Sequence, residues 1–256
     1  MSADQTLNRL LWELELNAWP ALRQTLLDGW VCRFSEGYTG RANSVMPLAG
    51  GALLPEVKIR IAEGLYRSAD LPPMFCLHTA YEPPDLDAFL ERRGYRKRVF
   101  HDCTSVSIQT AELRGRYDHG SPELEVTSVP SEPWFDALAT CAGCAPSSVA
   151  IFRRMLQRMV PEAGYALLHD NRGRALSCGL GVLERRWLGL FTVGTAPEAR
   201  RRGHAQRLVE GLLSWGQARG ANGAYLQVIS NNHSGNALYR GFRFSEVGTY
   251  WYRMQD

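Results

Sequence analysis

The sequence has no long apolar run and no signal-like start. No uninterrupted apolar stretch approaches the roughly 20 residues that are needed to span a bilayer. The first residues, Met1 to Gln5, lack the basic region followed by an apolar run that marks a secretory signal. We therefore expect a cytoplasmic protein that has no membrane partner.

A strong excess of charge of either sign is also missing. The 29 basic and 26 acidic residues are interspersed and leave a formal net charge of +3. This balance predicts mild attraction to anions rather than a polyanion-binding surface. A nucleic-acid-binding module would need clustered basic and aromatic residues, and the chain offers only the short run Arg200 to Arg202. We expect no nucleic-acid partner.

Cysteine is sparse and scattered, with six residues in 256. A chain of this length does not need disulfides to hold its core, so we expect reduced, buried thiols. The pair Cys141 and Cys144 has the spacing of half a zinc site or of a redox dithiol. Because no second such pair and no paired histidine spacing accompanies it, we expect no metal site.

The composition is that of a globular protein, with 45% hydrophobic and 21% charged residues. The length allows one large domain or two of ordinary size. A polar stretch between Gln109 and Glu123 holds few large aliphatic residues and is the best candidate for a boundary. We therefore predict an N-terminal lobe over 1–110, a linker over 111–122 and a C-terminal lobe over 123–256.

Hydrophobic periodicity gives the two lobes the same order of elements: helix, hairpin, helix, strand, helix, strand. In the N-terminal lobe we predict a helix up to Ala18, a second short helical piece from Ala21 to Leu27, strands Gly29–Phe34 and Ala42–Leu48, a helix Leu54–Tyr66, a strand Met74–His78, a helix ending near Arg93 and a strand Arg98–Ile108. In the C-terminal lobe we predict strands 124–129, 165–169, 175–184, 187–193, 224–229 and 247–254, and helices 134–141, 149–159, 203–219 and 233–239.

The most informative segment is Arg200-Arg201-Arg202-Gly203-His204-Ala205, which lies where a predicted strand stops and an amphipathic helix begins. A helix N-terminus presents unpaired N–H groups and a partial positive charge, and a glycine there lets a phosphate approach the backbone. The segment is neither a Walker A loop nor a dinucleotide fingerprint, because it lacks Gly-Lys-Ser/Thr and has only one glycine. It indicates a pyrophosphate held mostly by main chain; a solvated helix start is the alternative.

This segment resembles the pyrophosphate loop of the GNAT superfamily of acyl-CoA N-acyltransferases, Arg/Gln-x-x-Gly-x-Gly/Ala, with Arg200, Gly203 and Ala205 in the defining places. A second stretch, 232–244, is similar to the superfamily's Asn-x-x-Ala-x-x-Leu-Tyr-x-x-x-Gly-Phe helix. The matching residues there are Asn232, Leu238, Tyr239 and Phe244. Gly235 replaces the alanine and Arg243 replaces the glycine. The nearby Gly241 could supply the backbone flexibility that the missing glycine would give.

The resemblance implies an α/β fold of two GNAT-like lobes, each with a mixed, mostly antiparallel sheet flanked by helices. It also implies an N-acetyltransferase in which the acceptor amine attacks the thioester of acetyl-CoA directly, in a ternary complex. Backbone groups of Val193, Gly194 and Thr195 would hold the pantetheine arm. The remaining residues implied to bind the coenzyme are Arg200, Arg201, Arg202, Gly203, His204, Ala205 and Asn232. Tyr239 would protonate the leaving thiolate.

The implied acceptor is a small-molecule or peptide amine, and homodimerisation is left open. The sequence does not identify the general base, for which Glu184, Asp136, His169 and water are all candidates. A non-catalytic acyl-CoA-binding regulator is the alternative function; it would keep the loop but would not need Tyr239. Its retention favours the enzyme.

The runs Asp28 to Phe34 and Gly37 to Val45 resemble the first lobe of bacterial tandem GNAT proteins, and 86–95 resembles the closing helix of that fold. Because no phosphate loop opens any helix before residue 110, we predict a degenerate, non-catalytic lobe. Four of its polar residues, Arg33, Tyr38, Arg41 and Asn43, either face an acceptor pocket between the lobes or hold a structural hairpin.

Overall fold

A computed structural model describes residues 3–79, 85–100, 102–115, 117 and 123–255. In these ranges the chain forms one sheet of twelve strands and seven α-helices. The helices are α1 (Ala3–Ala18), α2 (Pro55–Arg67), α3 (Leu86–Arg92), α4 (Glu132–Ala142), α5 (Pro146–Leu156), α6 (His204–Ala218) and α7 (His233–Gly241). The strands are β1 (Arg23–Leu27), β2 (Trp30–Phe34), β3 (Val45–Pro47), β4 (Met74–His78), β5 (Arg96–Lys97), β6 (Val106–Glu112), β7 (Leu124–Thr127), β8 (Glu162–His169), β9 (Ala175–Glu184), β10 (Trp187–Thr195), β11 (Gly223–Ile229) and β12 (Ser245–Met254).

The strands follow the order β1-β2-β3-β4-β12-β6-β11-β10-β9-β8-β7, and β5 pairs with β12. Most neighbouring strands are antiparallel; β3 with β4 and β10 with β11 are the parallel pairs. The α/β fold with a mixed, mostly antiparallel sheet is therefore confirmed. The C-terminal strand β12 pairs with β4 on one side and with β6 on the other, so it joins the two halves of the sheet.

The strand β6 crosses the predicted lobe boundary at residue 110. It lies between β11 and β12 and pairs with both, although most of it precedes the proposed linker in the chain. Much of that linker, at 116 and 118–122, lies outside the described residues. The division into lobes at 111–122 stays a prediction, and we use it below to name the two halves.

Two apolar layers cover the faces of the C-terminal half of the sheet. One contains residues of α1, α4 and α5 together with Phe191 and Tyr225, whereas the other contains residues of α6 with Leu190 and Leu226. Side chains of consecutive strand residues point to opposite faces, which explains why Leu190 and Phe191 belong to different layers. The α1, α4 and α5 face and the α6 and α7 face are thus two separate sides of the sheet.

Two predicted elements differ from the structure. The predicted strand Arg98–Ile108 is a strand only from 106, where β6 begins, and the predicted helical piece 21–27 is not helical. Arg23–Leu27 forms the edge strand β1, antiparallel to β2. Asp28 and Gly29 both have positive φ angles, 46° and 87°, which is the geometry of a tight hairpin turn. The Asp-Gly pair was the local signal for this hairpin, and the leucines at 22, 26 and 27 obscured it by their helix-like spacing.

Within the described ranges, no helix is long and apolar enough to cross a membrane. All six cysteines are free thiols, and four of them are buried. The described residues contain no group of three or more histidine, cysteine or acidic side chains that could hold a metal ion.

Candidate active site

The central feature of the site is a gap between two parallel strands. β10 and β11 pair from Trp187 with Gly223 up to Leu190 with Leu226, and the pairing ends there. Beyond this point β10 keeps pairing with β9, but the register shifts between Phe191 and Gly194. Thr192 in the shifted stretch has a positive φ of 49°. Such a bulge bends a strand, so the end of β10 turns away from β11 and its backbone on that side has no strand opposite.

The rim of this gap is fixed from the side of β9 and α4. The Ser177 hydroxyl donates to the Gly194 carbonyl oxygen at 2.5 Å and lies 3.1 Å from the Thr195 hydroxyl. A Cβ atom on Gly194 would lie 2.5 Å from the backbone oxygen of Cys141 at the end of α4. Because a backbone atom cannot move aside cheaply, only glycine fits there. Val193, Gly194 and Thr195 therefore form a rigid edge.

The segment 200–205 follows the rim and opens α6, as the sequence predicted. Gly203 is the N-cap residue with a φ of 79°, and Arg201 also has a positive φ of 63°. In the described part of the chain, no acceptor takes a hydrogen bond from the backbone N–H groups of 201–205. A Cβ on Gly203 would meet nothing within 4 Å. Free N–H groups, open space and three exposed arginines together suit a phosphate group.

Two buried polar atoms near the gap have no hydrogen-bond partner. They are the Thr192 hydroxyl at the bulge and the Nδ1 atom of His204 in the first turn of α6. Burial, together with Arg207 and Arg202, lowers the pKa of His204, so its ring is neutral at pH 7. Buried polar groups are normally paired, so both atoms fit a site that a polar ligand completes.

Tyr239 lies on α7, which follows β11 and covers the same face of the sheet as α6. Its ring packs against Phe244 with 5.9 Å between centroids. No described residue hydrogen-bonds its hydroxyl, which is not sealed from solvent. Burial raises the pKa of Tyr239 to about 12. The phenol is therefore fully protonated at neutral pH and has a proton available for a ligand.

Asn232 begins α7 and has a structural contact. Its side-chain oxygen accepts a hydrogen bond from the Gly235 N–H at 3.0 Å, which is a helix cap. A Cβ on Gly235 would lie 2.9 Å from the Asn232 side chain, so this tight cap explains why glycine replaces the usual alanine. Gly241 ends the helix, and Arg243 is the residue in the left-handed region, with a φ of 63°. The arginine itself therefore adopts the conformation for which the superfamily uses glycine.

Comparisons with known proteins agree with this geometry. The sequence model of the family described as "Probable histone acetyltransferase Rv0428c C-terminal" matches residues 9–253. The chain belongs to this family. It is 26% identical to the uncharacterized N-acetyltransferase YobR of Bacillus subtilis, over 96% of this chain and 98% of the relative. It is 27% identical to the probable histone acetyltransferase Rv0428c of Mycobacterium tuberculosis, over 88% of this chain and 67% of that protein.

The solved structures show the same fold. A GCN5-related N-acetyltransferase from Kribbella flavida superposes with a TM-score of 0.67 at 16% identity, covering 96% of this chain and 95% of the other. Together with the family match, this makes the protein a GNAT acyltransferase, as the two motifs predicted.

The structure does not bring the candidate bases of this GNAT acyltransferase into the gap. Glu184 pairs with Trp187 at the opposite end of β10 and accepts hydrogen bonds from Asn17 at 3.0 and 3.1 Å. Asp136 is exposed on α4. A ring nitrogen of His169 lies 3.1 Å from the Asp170 carbonyl oxygen, two strands away from β10. None of the three is placed to take a proton directly from an amine in the gap.

The four polar residues of the N-terminal lobe divide into two pairs. Arg33 is fully buried and donates to backbone carbonyl oxygens, including that of Arg41 at 2.8 Å, and the Asn43 side chain accepts from two backbone N–H groups. These two hold the hairpin. Tyr38 and Arg41 instead reach the C-terminal lobe, where the Tyr38 hydroxyl lies 3.8 Å from the Cys144 sulfur and Arg41 meets Gln227.

Sequence reasoning missed two residues of this region, Glu15 and Gln227. Glu15 is fully buried and lies 3.4 Å from Arg41. A charged residue on the apolar face of α1, one turn after Leu11, was the available signal. Gln227 had no signal, because a single polar residue in a strand has many structural explanations.

Proposed function

We propose that the protein is an N-acetyltransferase that moves an acetyl group from acetyl-CoA to a primary amine by direct attack in a ternary complex. The observation that carries this proposal is the gap between β10 and β11, which opens beside the free N–H groups at the start of α6. A gap alone would admit many ligands. A gap next to an anion-binding helix start fits a ligand with a slender arm and a pyrophosphate.

Bound acetyl-CoA supplies the thioester that the amine attacks. The N–H groups of 201–205 and the side chains of Arg200, Arg201 and Arg202 bind its pyrophosphate, with His204 in contact. The unpaired edge formed by Val193, Gly194 and Thr195 holds the pantetheine arm and orients the thioester carbonyl. Asn232 contributes by fixing the start of α7.

Tyr239 donates a proton to the departing sulfur. Its pKa, raised to about 12 by burial, keeps the phenol protonated at neutral pH. A phenol with this pKa is a weak acid, so the transfer accompanies breakage of the carbon–sulfur bond rather than preceding it. General acid catalysis of this kind typically contributes about 10²–10⁴-fold.

A thermal shift assay with acetyl-CoA tests the coenzyme site first. Ligand at about 100 times its dissociation constant stabilises a protein by roughly 2.7 kcal/mol. An amine library, read by release of free thiol, then identifies acceptors. The library includes histone peptides, because one relative is described as a probable histone acetyltransferase. Absence of any acetyl-CoA-dependent shift, with binding also undetectable by calorimetry, contradicts the proposal.

The remaining predictions from the sequence keep that status. They concern the cytoplasmic location, the absence of nucleic-acid partners and the oligomeric state. Size-exclusion chromatography with light scattering would determine the last of these.

A further inference from the structure

Arg41 of the N-terminal lobe lies at the point where the two strands of the C-terminal lobe separate. Its Nη1 atom is 3.3 Å from the Gln227 side-chain oxygen on β11, and its Cζ atom is 5.7 Å from the centre of the Phe191 ring on β10. Gln227 and Phe191 are the first residues after the last β10–β11 pair, Leu190 with Leu226. The guanidinium therefore bridges the start of the gap.

This position is on the side of the sheet opposite α6. Phe191 belongs to the apolar layer of α1, α4 and α5, whereas α6 packs on the other face. If the coenzyme lies along α6 and Tyr239, as proposed above, the amine must approach the thioester from the face that Arg41 occupies. The inference below rests on that proposed function.

The guanidinium is held rigidly by groups around it. Its plane lies over the Trp19 ring at 4.4 Å, and its Nη1 atom is 3.4 Å from a carboxylate oxygen of the fully buried Glu15. Gln227 is fixed in turn by the Tyr250 hydroxyl, which donates to its oxygen at 3.1 Å. Burial is the largest influence on Arg41 and opposes its charge, but Glu15, Tyr250, Tyr252 and Tyr38 together keep the pKa of Arg41 above its ordinary value. Arg41 is therefore a permanent cation.

Arg41 has donors to spare, unlike the buried Arg253. Arg253 donates from all three of its nitrogen atoms, to Asp87, Glu91 and the Tyr95 carbonyl, and only 4% of its side chain is exposed. Arg41 uses Nη1 alone; its Nε and Nη2 atoms have no partner among the described residues, and 21% of its side chain is exposed. The Nε–Nη2 edge is the side of a guanidinium that binds a carboxylate with two parallel hydrogen bonds.

We propose that Arg41 binds a carboxylate of the acceptor, so that the preferred acceptor is a primary amine that also carries a carboxylate, as amino acids do. Glu15 is a positioning residue, because it is shut off from solvent and acts through Arg41. The N-terminal lobe thereby supplies the acceptor-binding charge, and the C-terminal lobe supplies the coenzyme site.

The test compares matched acceptors that differ only in the carboxylate. Wild-type protein is assayed with acetyl-CoA and a set of amino acids, and with the corresponding amino-acid amides. We expect kcat/KM for the best acid to exceed that for its amide at least about tenfold. In Arg41→Lys, which keeps the charge but loses the two-pronged edge, we expect the preference to fall to within about threefold, mainly through a higher acceptor KM. The KM for acetyl-CoA stays unchanged.

Glu15→Gln separates positioning from direct contact. We expect a smaller rise in acceptor KM than in Arg41→Lys and an unchanged kcat at saturating acceptor. If wild-type protein has the same kcat/KM for the amino acids as for their amides, the proposal is overturned without any variant. It is also overturned if neither acceptor set is acetylated while other amines are. If wild-type protein does not bind acetyl-CoA at all, the proposed function itself is contradicted.

Discussion

The turn between a strand and the following helix is filled differently in the two lobes. In the C-terminal lobe, the turn after β10 leaves the N–H groups of 201–205 without an acceptor among the described residues. In the N-terminal lobe, the turn after β3 is closed by the protein's own carboxylate, because Asp28 accepts from the N–H groups of Ala52 and Leu53 at 3.0 and 2.8 Å. Lys58 on α2 lies 3.0 Å from the same carboxylate. An internal anion thus binds the N–H groups of this turn.

The closing helices show the same relation. In the N-terminal lobe the Tyr95 N–H donates to the Leu90 carbonyl oxygen at 3.0 Å, and in the C-terminal lobe the Phe244 N–H donates to that of Tyr239 at 3.1 Å. Leu90 therefore stands where the C-terminal lobe has Tyr239, the proposed proton donor, and it is fully buried. The N-terminal lobe keeps the fold's hydrogen bonds, but its described residues offer neither an open anion site at this turn nor an acid at this helix end, which fits a non-catalytic lobe.

The largest expected effect comes from closing the open turn. Gly203→Glu places a carboxylate where the phosphate binds, and we expect acetyl-CoA affinity to fall at least about 100-fold in calorimetry. Gly94→Glu is a matched control, because Gly94 also has a positive φ, of 86°, and also has nothing within 4 Å of a Cβ. It should cost similar backbone strain and leave affinity unchanged. If Gly203→Glu binds acetyl-CoA as tightly as wild type, the phosphate-loop assignment is wrong.

The proposed proton donor is tested by removing the hydroxyl of Tyr239, which leaves a side chain that, like Leu90, has no acidic proton. Tyr239→Phe keeps the packing against Phe244 and removes the hydroxyl, so kcat and kcat/KM should fall together by about 10²-fold with acetyl-CoA affinity nearly unchanged. The assay uses an acceptor found by screening. Turnover at the wild-type rate, under conditions where chemistry limits, would rule out the general-acid role.

The pH dependence of wild-type turnover gives a second measure of Tyr239. A general acid must be protonated, so activity is lost as pH rises through its pKa. Because burial raises the pKa of Tyr239 to about 12, activity should begin to fall about two pH units higher than it would with an ordinary tyrosine. A fall in kcat centred near pH 10 would contradict the raised pKa of Tyr239, provided that the protein stays folded there and that Tyr239→Phe shows no such fall.

The closed turn should matter for stability rather than for binding. Asp28→Asn removes the charge that faces Lys58 and the two N–H groups, so we expect the melting temperature to fall by a few degrees at pH 7. Acetyl-CoA affinity should not change, and wild type and variant should each bind one coenzyme per chain. Two equivalent sites in the wild-type chain would break the contrast between the lobes.

The same variant has a defined pH signature. Hydrogen bonds from the backbone of Leu53 and from Lys58 lower the pKa of Asp28. A lowered carboxyl pKa stabilises the fold above the pKa of the unfolded chain, and this stabilisation is lost as pH falls through the folded value. The difference in melting temperature between wild type and Asp28→Asn should therefore shrink below about pH 4. A difference that grows on acidification would contradict the assignment.

The smallest effect concerns the end of the closing helix. Arg243 has a φ of 63° where the N-terminal lobe has Gly94. A side chain in this region costs about 1–2 kcal/mol, partly offset by the greater freedom of glycine in the unfolded chain. We expect Arg243→Gly to raise the free energy of unfolding by up to about 1 kcal/mol, measured with denaturant, and the reciprocal Gly94→Arg to lower it. If Arg243→Gly is instead less stable than wild type, the arginine side chain makes a contact that stabilises the fold.

The sequence by itself determined the elements whose signals are local. Gly203 before an amphipathic helix, and Asn232 at the start of another, are requirements of a few neighbouring residues, so the pyrophosphate loop and α7 could be predicted within two residues of their bounds. The edge strand β1 was not predicted, because its signal is not local. Most of its residues are exposed, so no alternation of buried and exposed positions distinguished it from a helix.

Only the tertiary structure decided where β10 and β11 part, that Asp28 closes the first turn, and that Arg41 meets Gln227 across 186 positions of the chain. Each depends on which strands become neighbours and in what register, and pairing between distant segments leaves no mark in the local pattern of either. The loop proposed to bind the coenzyme is thus encoded in adjacent residues, whereas the face proposed to receive the acceptor exists only once the two lobes share a sheet.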